Sequence, residues 1–235
     1  MKFKGSFLTD ASGSIDGITA SHNRGGKYIR ARSIPVNPSS EFQQAVRNAT
    51  SLLTSRWTGV VTEDQRAAWA VYAFNVPLPD AFGDPRSIPP LAMYNRCNVP
   101  RLQADPIGTD LPIVDDGPTD FTLGTFSEPS ITGISAGTQL LSLAFDTGDD
   151  WVGEASAGML VYLSRPQSVG INFFKGPYRF AAAILGDNIT PPTSPVDIAV
   201  PFPVVAGQKL FAQIRVTRAD GRLSSAQRFT AIVGA

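Results

Sequence analysis

The sequence predicts an α+β protein in which an extended basic arm and a small helical region precede an antiparallel β-sandwich. Three observations lead to this prediction. Apolar residues recur at helical spacing in the first half, short apolar runs alternate with turn residues in the second half, and an aperiodic stretch rich in Asp, Pro and Gly lies between them. The expected divisions are an arm at 1–38, a helical region at 39–104, a linker at 105–118 and a sandwich domain at 119–235.

The predicted arm carries a cluster of basic residues that no acidic residue interrupts. Residues 21–38 contain no Asp or Glu, and they end in a Pro-Val-Asn-Pro sequence that continues neither a helix nor a central strand. Fully extended, this stretch would reach roughly 60 Å at about 3.3 Å per residue, far enough to cross onto a neighbouring subunit. The predicted interface residues are Arg24, Lys27, Tyr28, Arg30 and Arg32.

Two kinds of partner fit this basic cluster. Nucleic acid fits because basic side chains can follow phosphates while Tyr28 stacks on bases. A protein partner fits because the arginines can meet carboxylates within the chain or in a second copy, such as Asp115, Asp116 and Asp120. We favour the protein partner, because a few charges in a neutral protein are a weak footprint beside the strongly basic domains that bind nucleic acid.

Charge is distributed unevenly along a chain whose 20 basic and 20 acidic residues cancel. Residues 1–60 carry eight Lys and Arg against three Asp and Glu, a net +5, whereas residues 61–120 carry four against nine, a net −5. Such polarity can pair the two regions inside one fold, or join the basic part of one copy to the acidic part of the next. The second interpretation predicts a homo-oligomer.

Two helices joined by a short turn are expected directly after the arm. From Phe42 to Trp57, apolar residues recur at spacings of three and four and form one face that must pack against something. The next helix begins at Thr62, which forms a capping box with Gln65. A proline-rich segment follows, and its paired prolines suit the start of a short helix at 91–97.

The rest of the chain is typical of antiparallel β-structure. Short apolar runs are separated by clusters of Gly, Pro, Asp and Ser, and Asp220-Gly221 is the hairpin signal before the last run. Seven short strands within a segment as long as residues 119–235 are typical of a sandwich of the immunoglobulin or fibronectin type. The predicted strands are 121–126, 139–146, 159–164, 178–184, 197–200, 209–218 and 226–233.

Few residues in this chain can carry chemistry. The single Cys97 excludes an intrachain disulfide and a cysteine-based zinc site, and the single His22 excludes most histidine-dependent mechanisms. The sequence contains no apolar stretch of the kind that forms a secretory leader or spans a membrane. We therefore expect a soluble protein that is not an enzyme, with no cofactor, no small-molecule substrate and no membrane partner.

Four carboxylates gather around one tryptophan in the second half of the chain. Such a group can bind calcium, or act as the carboxylate pair that glycosidases place beside an aromatic platform. The spacing of an EF-hand is absent, and glycosidase carboxylates usually lie on separate elements. A solvated loop is therefore the favoured interpretation, and it leaves a weak calcium candidate at Asp146, Asp149, Asp150 and Glu154.

The densest aromatic stretch of the sequence lies at residues 172–180. Exposed rings beside arginines would form a surface that resembles an interaction hot spot. Alternatively, some of these rings fill the sandwich core, and for Trp151 core packing is the favoured interpretation. The candidate ligand or partner surface comprises Trp151, Phe173, Phe174, Tyr178 and Arg179.

Six segments along the chain carry the motifs of one known family. They are residues 24–32 (RGGKYIRAR), 35–38 (PVNP), 43–47 (QQAVR), 64–69 (DQRAAW), 164–166 (SRP) and 174–180 (FKGPYRF). Together they resemble a little-characterised family from bacteriophage, prophage-like and environmental bacterial genomes, with an RGG-type arm, an Asn-Pro turn, a Gln-Gln helix and a β-rich C-terminal half.

This resemblance implies a virion component with no enzyme activity. We expect a structural protein of the capsid, its decoration or the tail, made in the host cytoplasm and located in the virion. It would assemble through its arm with further copies and with other virion proteins. The alternative is a β-sandwich module that binds a surface glycan or another host ligand.

Overall fold

The computed structural model describes residues 13–23, 26–34, 36–79, 83–174 and 176–235. These residues form an α+β protein in which every sheet is antiparallel. The chain separates into two compact units, Met1–Ser40 and Glu41–Ala235. Each unit is described by itself below.

The first unit contains a three-stranded meander. Its strands are β1 (Gly13–Ile15), β2 (Ile18–Asn23) and β3 (Gly26–Ala31), paired in the order β1-β2-β3. Asp16 and Gly17 form a two-residue turn between Ile15 and Ile18, and Asp16 has a left-handed φ of 48°. The prediction of one extended arm was therefore wrong for residues 13–31, because a local Asp-Gly turn folds the chain back on itself. Arg24, Pro35 and the first twelve residues of the predicted arm lie outside the described residues.

Three helices open the second unit. They are α1 (Glu41–Gly59), α2 (Glu63–Asn75) and α3 (Pro90–Ala104), with a small ribbon of β4 (Leu78–Pro79) and β5 (Pro85–Arg86) before α3. The capping box at α2 is confirmed: Gln65 N donates to Thr62 Oγ1 (3.3 Å), and Thr62 N donates to Gln65 Oε1 (2.8 Å). The third helix runs well beyond the predicted 91–97 and contains Pro100.

Two sheets follow the helices. Their strands are β6 (Ser130–Ser135), β7 (Leu140–Ala144), β8 (Gly158–Ser164), β9 (Tyr178–Leu185), β10 (Val196–Ala199), β11 (Lys209–Thr217) and β12 (Gln227–Ile232). The first sheet has the order β10-β7-β6 and the second β12-β11-β8-β9. Six predicted strands coincide with observed strands, the predicted strand at 121–126 does not form, and β6 was not predicted.

The two sheets share one apolar core. Leu141 and Leu143 of β7 pack with Met159 and Val161 of β8 and with Ile214 of β11. Alternate residues of these strands point into the core, which is the pattern expected where one face of each sheet is covered.

A second apolar cluster joins the helices to the opposite face of the four-stranded sheet. Leu53 of α1 and Trp69 of α2 belong to the same cluster as Leu160 of β8 and Leu223. Residues 105–118 were predicted to be a linker between domains, but Glu41–Ala235 is one compact unit. The physical reason is this shared core, because apolar surface on the helices is covered only when the sheet packs on it.

Candidate functional site

The N-terminal sheet has no core of its own among the described residues. Every side chain described in residues 13–40 is exposed or half-exposed. Several are large and apolar: Ile15 is 84% exposed and Val36 is 89% exposed, and Ile18 and Ile34 also lie on the surface. A sheet of three short strands is only marginally stable in water unless one of its faces is covered.

The structure brings most of the predicted interface residues together. Tyr28 and Arg30 alternate along β3 and therefore share one face of the sheet, while Lys27 points to the other. Arg32 extends the same row, since its backbone N–H donates to the carbonyl of Gly17 at 2.8 Å. Arg30 and Arg32 are exposed.

The carboxylates suggested as partners of the arm have partners within the second unit. Asp115 accepts from Arg56 Nε (2.7 Å) and from the Tyr94 hydroxyl (2.9 Å). Asp116 accepts from Gln65 Nε2 at 2.8 Å, and Asp120 pairs with Arg222 at 2.5 Å. Burial raises the pKa of the Asp115 carboxyl, but the hydrogen bonds from Arg56 and Tyr94 outweigh this effect and hold that pKa below its usual range.

The first half of α1 is a second surface with exposed apolar side chains. All of residues 41–48 are exposed, including Phe42 and Val46, and Leu52 is 52% exposed. Only Ala49 and Leu53 of this helix are buried. The apolar face predicted from the sequence is present, but the core of the unit covers only part of it.

Only some residues of the predicted aromatic surface are exposed. Trp151 is fully buried in the core between the two sheets beside Phe145, with their ring centroids 5.2 Å apart, so it does not belong to a surface and the favoured interpretation of core packing is confirmed. The physical reason is that an indole ring buries a large apolar area when the loop carrying it folds back on the sheet. Phe173 is 64% exposed, and Phe174 is partly exposed.

Arg179 and Tyr178 belong to β9 but point to opposite faces of the sheet. The Arg179 guanidinium lies between the rings of Phe42 and Phe202, at 4.5 Å and 4.6 Å from their centroids. This stacking holds the start of α1 against the edge of the sheet. Burial raises the pKa of the Tyr178 hydroxyl.

Protein groups form hydrogen bonds or an ion pair with each carboxylate of the acidic cluster. Asp149 accepts from Ser127 N at 2.8 Å, Asp150 accepts from Thr125 N at 2.9 Å, and Glu154 pairs with Arg218. Asp146 accepts from Gly148 N within its own turn. In the part of the chain that the structure describes, no group of three or more His, Cys, Asp or Glu residues is arranged to hold a metal. The weak calcium candidate is therefore not supported.

A buried arginine is the polar residue that sequence reasoning missed. Arg101 of α3 is fully buried, and no sequence signal distinguished it from a surface arginine. It donates to the carbonyls of Pro112 (2.8 Å), Arg218 (2.8 Å) and Ser156 (3.1 Å) and to Thr217 Oγ1 (2.9 Å). Burial lowers the pKa of the Arg101 guanidinium to about 10. These contacts tie α3 to three other segments, so the role of Arg101 is structural.

Cys97 and His22, the only cysteine and histidine of the chain, belong to different compact units. Burial raises the pKa of the Cys97 thiol to about 11, so this buried thiol stays protonated. His22 is exposed on β2 of the N-terminal unit. Among the described residues, no helix combines the length and apolar character that crossing a bilayer requires.

Comparisons of this chain with protein-family models, with curated proteins and with solved structures give no significant match.

Proposed function

We propose that this protein is a structural component of a bacteriophage-type particle and assembles through its N-terminal unit together with the first half of α1. One observation carries the proposal. The described part of Met1–Ser40 forms a sheet that buries none of its side chains, although it presents exposed isoleucines and arginines. A segment of this kind gains stability when a partner covers it.

The exposed aliphatic side chains of the N-terminal unit would stabilise an assembly if a partner covered them. Fully burying one isoleucine or valine side chain contributes about 1.5 to 3 kcal/mol. Ile15, Ile18, Ile34 and Val36 are all available for such burial. The exposed face of α1, which begins directly after this unit, adds Phe42, Val46 and Leu52. Burial of either surface in an assembly would therefore contribute several kcal/mol.

Arginines on the same sheet add specificity to this contact. Arg30 and Arg32 lie in one row with Tyr28, and Arg and Tyr are enriched in the energetically dominant parts of protein interfaces. The negative region at residues 61–120 includes the exposed Glu63 and Asp64 at the start of α2. A second copy of this chain presents such a region, which favours a homo-oligomer.

We infer that the larger unit is a sandwich of the immunoglobulin or fibronectin type that serves as a rigid scaffold. The strand order supports this inference. With β6 to β12 lettered A, B, C, C′, E, F and G, the sheets read A-B-E and C′-C-F-G. The assignment to a virion rests on the resemblance of residues 24–32 and the other quoted segments to the phage-associated family.

A glycan-binding function has less support than assembly. That hypothesis depended on an aromatic platform that included Trp151, and this ring lies in the core. Phe174 packs on Phe211 with ring centroids 5.2 Å apart, and Arg179 is held between two rings. The aromatic surface therefore lacks the tryptophan on which the glycan hypothesis depended, and the Arg179 side chain is already engaged.

Charge reversal of Arg30 and Arg32 together tests the proposal. We expect the full-length protein to form oligomers in light scattering, and the double variant Arg30→Glu, Arg32→Glu to lose them because like charges replace the complementary pairs. The variant should keep the circular dichroism and unfolding midpoint of the larger unit. Arg86→Glu, at an exposed position of β5, is the control and should assemble normally. Assembly of the double variant at wild-type concentration would contradict the proposal.

A further inference from the structure

The outer face of the four-stranded sheet carries a one-signed charge. Strands β11 and β12 place Lys209, Arg215 and Arg228 on this face, and none of the four strands contains an acidic residue. Arg179 of β9 pairs with the core residue Leu163 and faces the other side of the sheet. One part of this outer face is covered by the helices through Leu160. The remainder lies on β11 and β12 and shares no residue with the surfaces used in the proposed function.

Three arginines converge at one corner of this face. Arg228 is paired with Gln213, and Arg215 lies two residues further along β11, so both side chains project from the same side of the sheet. Arg96 of α3 donates to the carbonyls of Leu223 (3.3 Å) and Ser224 (3.2 Å).

The position of Ser224 brings the Arg96 guanidinium to the same corner. Ser224 N donates to the carbonyl of Val216 at 2.9 Å, and Val216 is the neighbour of Arg215 in β11. Arg96 is therefore anchored beside the strand that carries Arg215. Two elements that are distant in sequence supply the positive charges of one site.

No carboxylate neutralises these arginines among the described residues. The ion pairs of the second unit engage Arg56, Arg218 and Arg222 instead. Burial, followed by the positive charge of Arg96, lowers the pKa of the Arg215 guanidinium, and Arg228 acts in the same direction. Three like charges held together without a counterion favour the binding of an anion.

Aromatic rings adjoin this positive corner. Phe174 packs on Phe211 of β11, and the Arg228 guanidinium lies 5.8 Å from the Phe174 ring centroid. Phe173, the residue before Phe174, is largely exposed. The face therefore combines unneutralised guanidinium groups with accessible ring faces, which an acidic peptide would use only in part.

We propose that this face binds single-stranded nucleic acid, with Arg96, Arg215 and Arg228 contacting phosphates and Phe173 and Phe174 stacking on bases. Basic grooves with aromatic platforms are the general solution to this binding problem, because phosphates require charge and every base has a ring face. An acidic protein segment would use only the positive charge of this face and would leave the two rings without a role. The inference goes beyond the proposed function, since it concerns a different surface and a different class of partner.

Fluorescence polarisation with labelled oligo(dT) and the full-length protein tests this inference. We expect the wild-type protein to bind, and the variant Arg215→Gln, Arg228→Gln to bind about tenfold or more weakly. Two lost phosphate contacts should also reduce the slope of log K against log salt by about 1.4, at about 0.7 per contact on a single strand. Phe174→Ala should weaken binding about tenfold without removing the salt dependence.

Two controls make the outcome decisive. Arg86→Gln removes an exposed charge elsewhere and should bind as the wild type does. Arg30→Glu, Arg32→Glu tests the N-terminal unit, and it should retain binding even if assembly is lost. Three results would overturn the inference: no binding by the wild-type protein, unchanged binding by the Arg215, Arg228 variant, or competition by poly-glutamate as effective as that by unlabelled oligo(dT).

Discussion

Arg101 of α3 connects this helix to three other segments of the protein. Its guanidinium donates hydrogen bonds to four acceptors, on Pro112, Ser156, Thr217 and Arg218. Three of these acceptors are backbone carbonyls, which need a donor wherever water is excluded. The charge itself is costly to bury, so the gain comes from satisfying several acceptors at once.

Replacing Arg101 by methionine should destabilise the protein by about 3 kcal/mol, because the volume is largely kept while buried acceptors lose their donor. Urea unfolding followed by tryptophan fluorescence measures this change. Arg86→Met is the matched control at an exposed position and should change the free energy of unfolding by less than about 0.5 kcal/mol. Equal midpoints for Arg101→Met and the wild type would contradict the role assigned to Arg101.

The sequence could not identify Arg101, and it left two interpretations for Trp151, of which the favoured one, core packing, is confirmed. Both residues depend on segments far away in the chain: Arg101 bonds to the end of β11, and the Trp151 ring packs in the core formed by both sheets. An arginine after a helical proline and a tryptophan among acids have no local pattern that reports burial. Asp115, in contrast, was recognised as an acid that pairs with an arginine, although its partner is Arg56 rather than the arm.

At the scale of elements, α1 divides into two parts with different surroundings. Its second half contributes Leu53 to the core shared with the sheet, whereas residues 41–48 are exposed. Leu52 and Leu53 are adjacent in sequence, yet one is half-exposed and the other fully buried. Adjacent helical residues point about 100° apart, so one side chain of this pair lies in the core and the other on the surface.

Leu52→Lys and Leu53→Ala should therefore change different properties of the protein, assembly and stability respectively. We expect Leu53→Ala to lower the free energy of unfolding by about 3 kcal/mol, because it leaves a cavity in the core. Leu52→Lys should leave the free energy of unfolding nearly unchanged and reduce oligomer formation in light scattering. A Leu52→Lys protein that unfolds early, or that assembles like the wild type, would show that the exposed face of α1 is not an assembly surface.

Elements with local signals were predicted well, and those without them were missed. The Thr62 capping box and the alternation of β11 are properties of neighbouring residues, and both are observed. In β6 the pairing register shifts between Ile131 and Gly133, which interrupts the alternation that marks a strand. The hairpin at Asp16-Gly17 was not predicted, because the short, exposed strands beside this turn lack an apolar pattern.

At the scale of the whole molecule, the protein consists of one unit with a core and one unit without a core among its described residues. Glu41–Ala235 buries two apolar clusters, whereas none of the described side chains of Met1–Ser40 is buried. The positive excess of residues 1–60 extends beyond the first unit into α1, and the negative excess of residues 61–120 lies within the second unit. Composition revealed this polarity, and the exposure of the N-terminal sheet is the reason we propose that this unit binds a partner.

The most direct measurement is the solution mass of the full-length protein beside a truncated protein that begins at Glu41, by light scattering at low and high salt. The account predicts defined oligomers for the full-length chain and a monomer for the truncated chain, with the same unfolding midpoint for the larger unit. High salt should weaken the oligomers, because it screens the contribution of Arg30 and Arg32. Equal masses for the two proteins under both conditions would contradict assembly through the N-terminal unit.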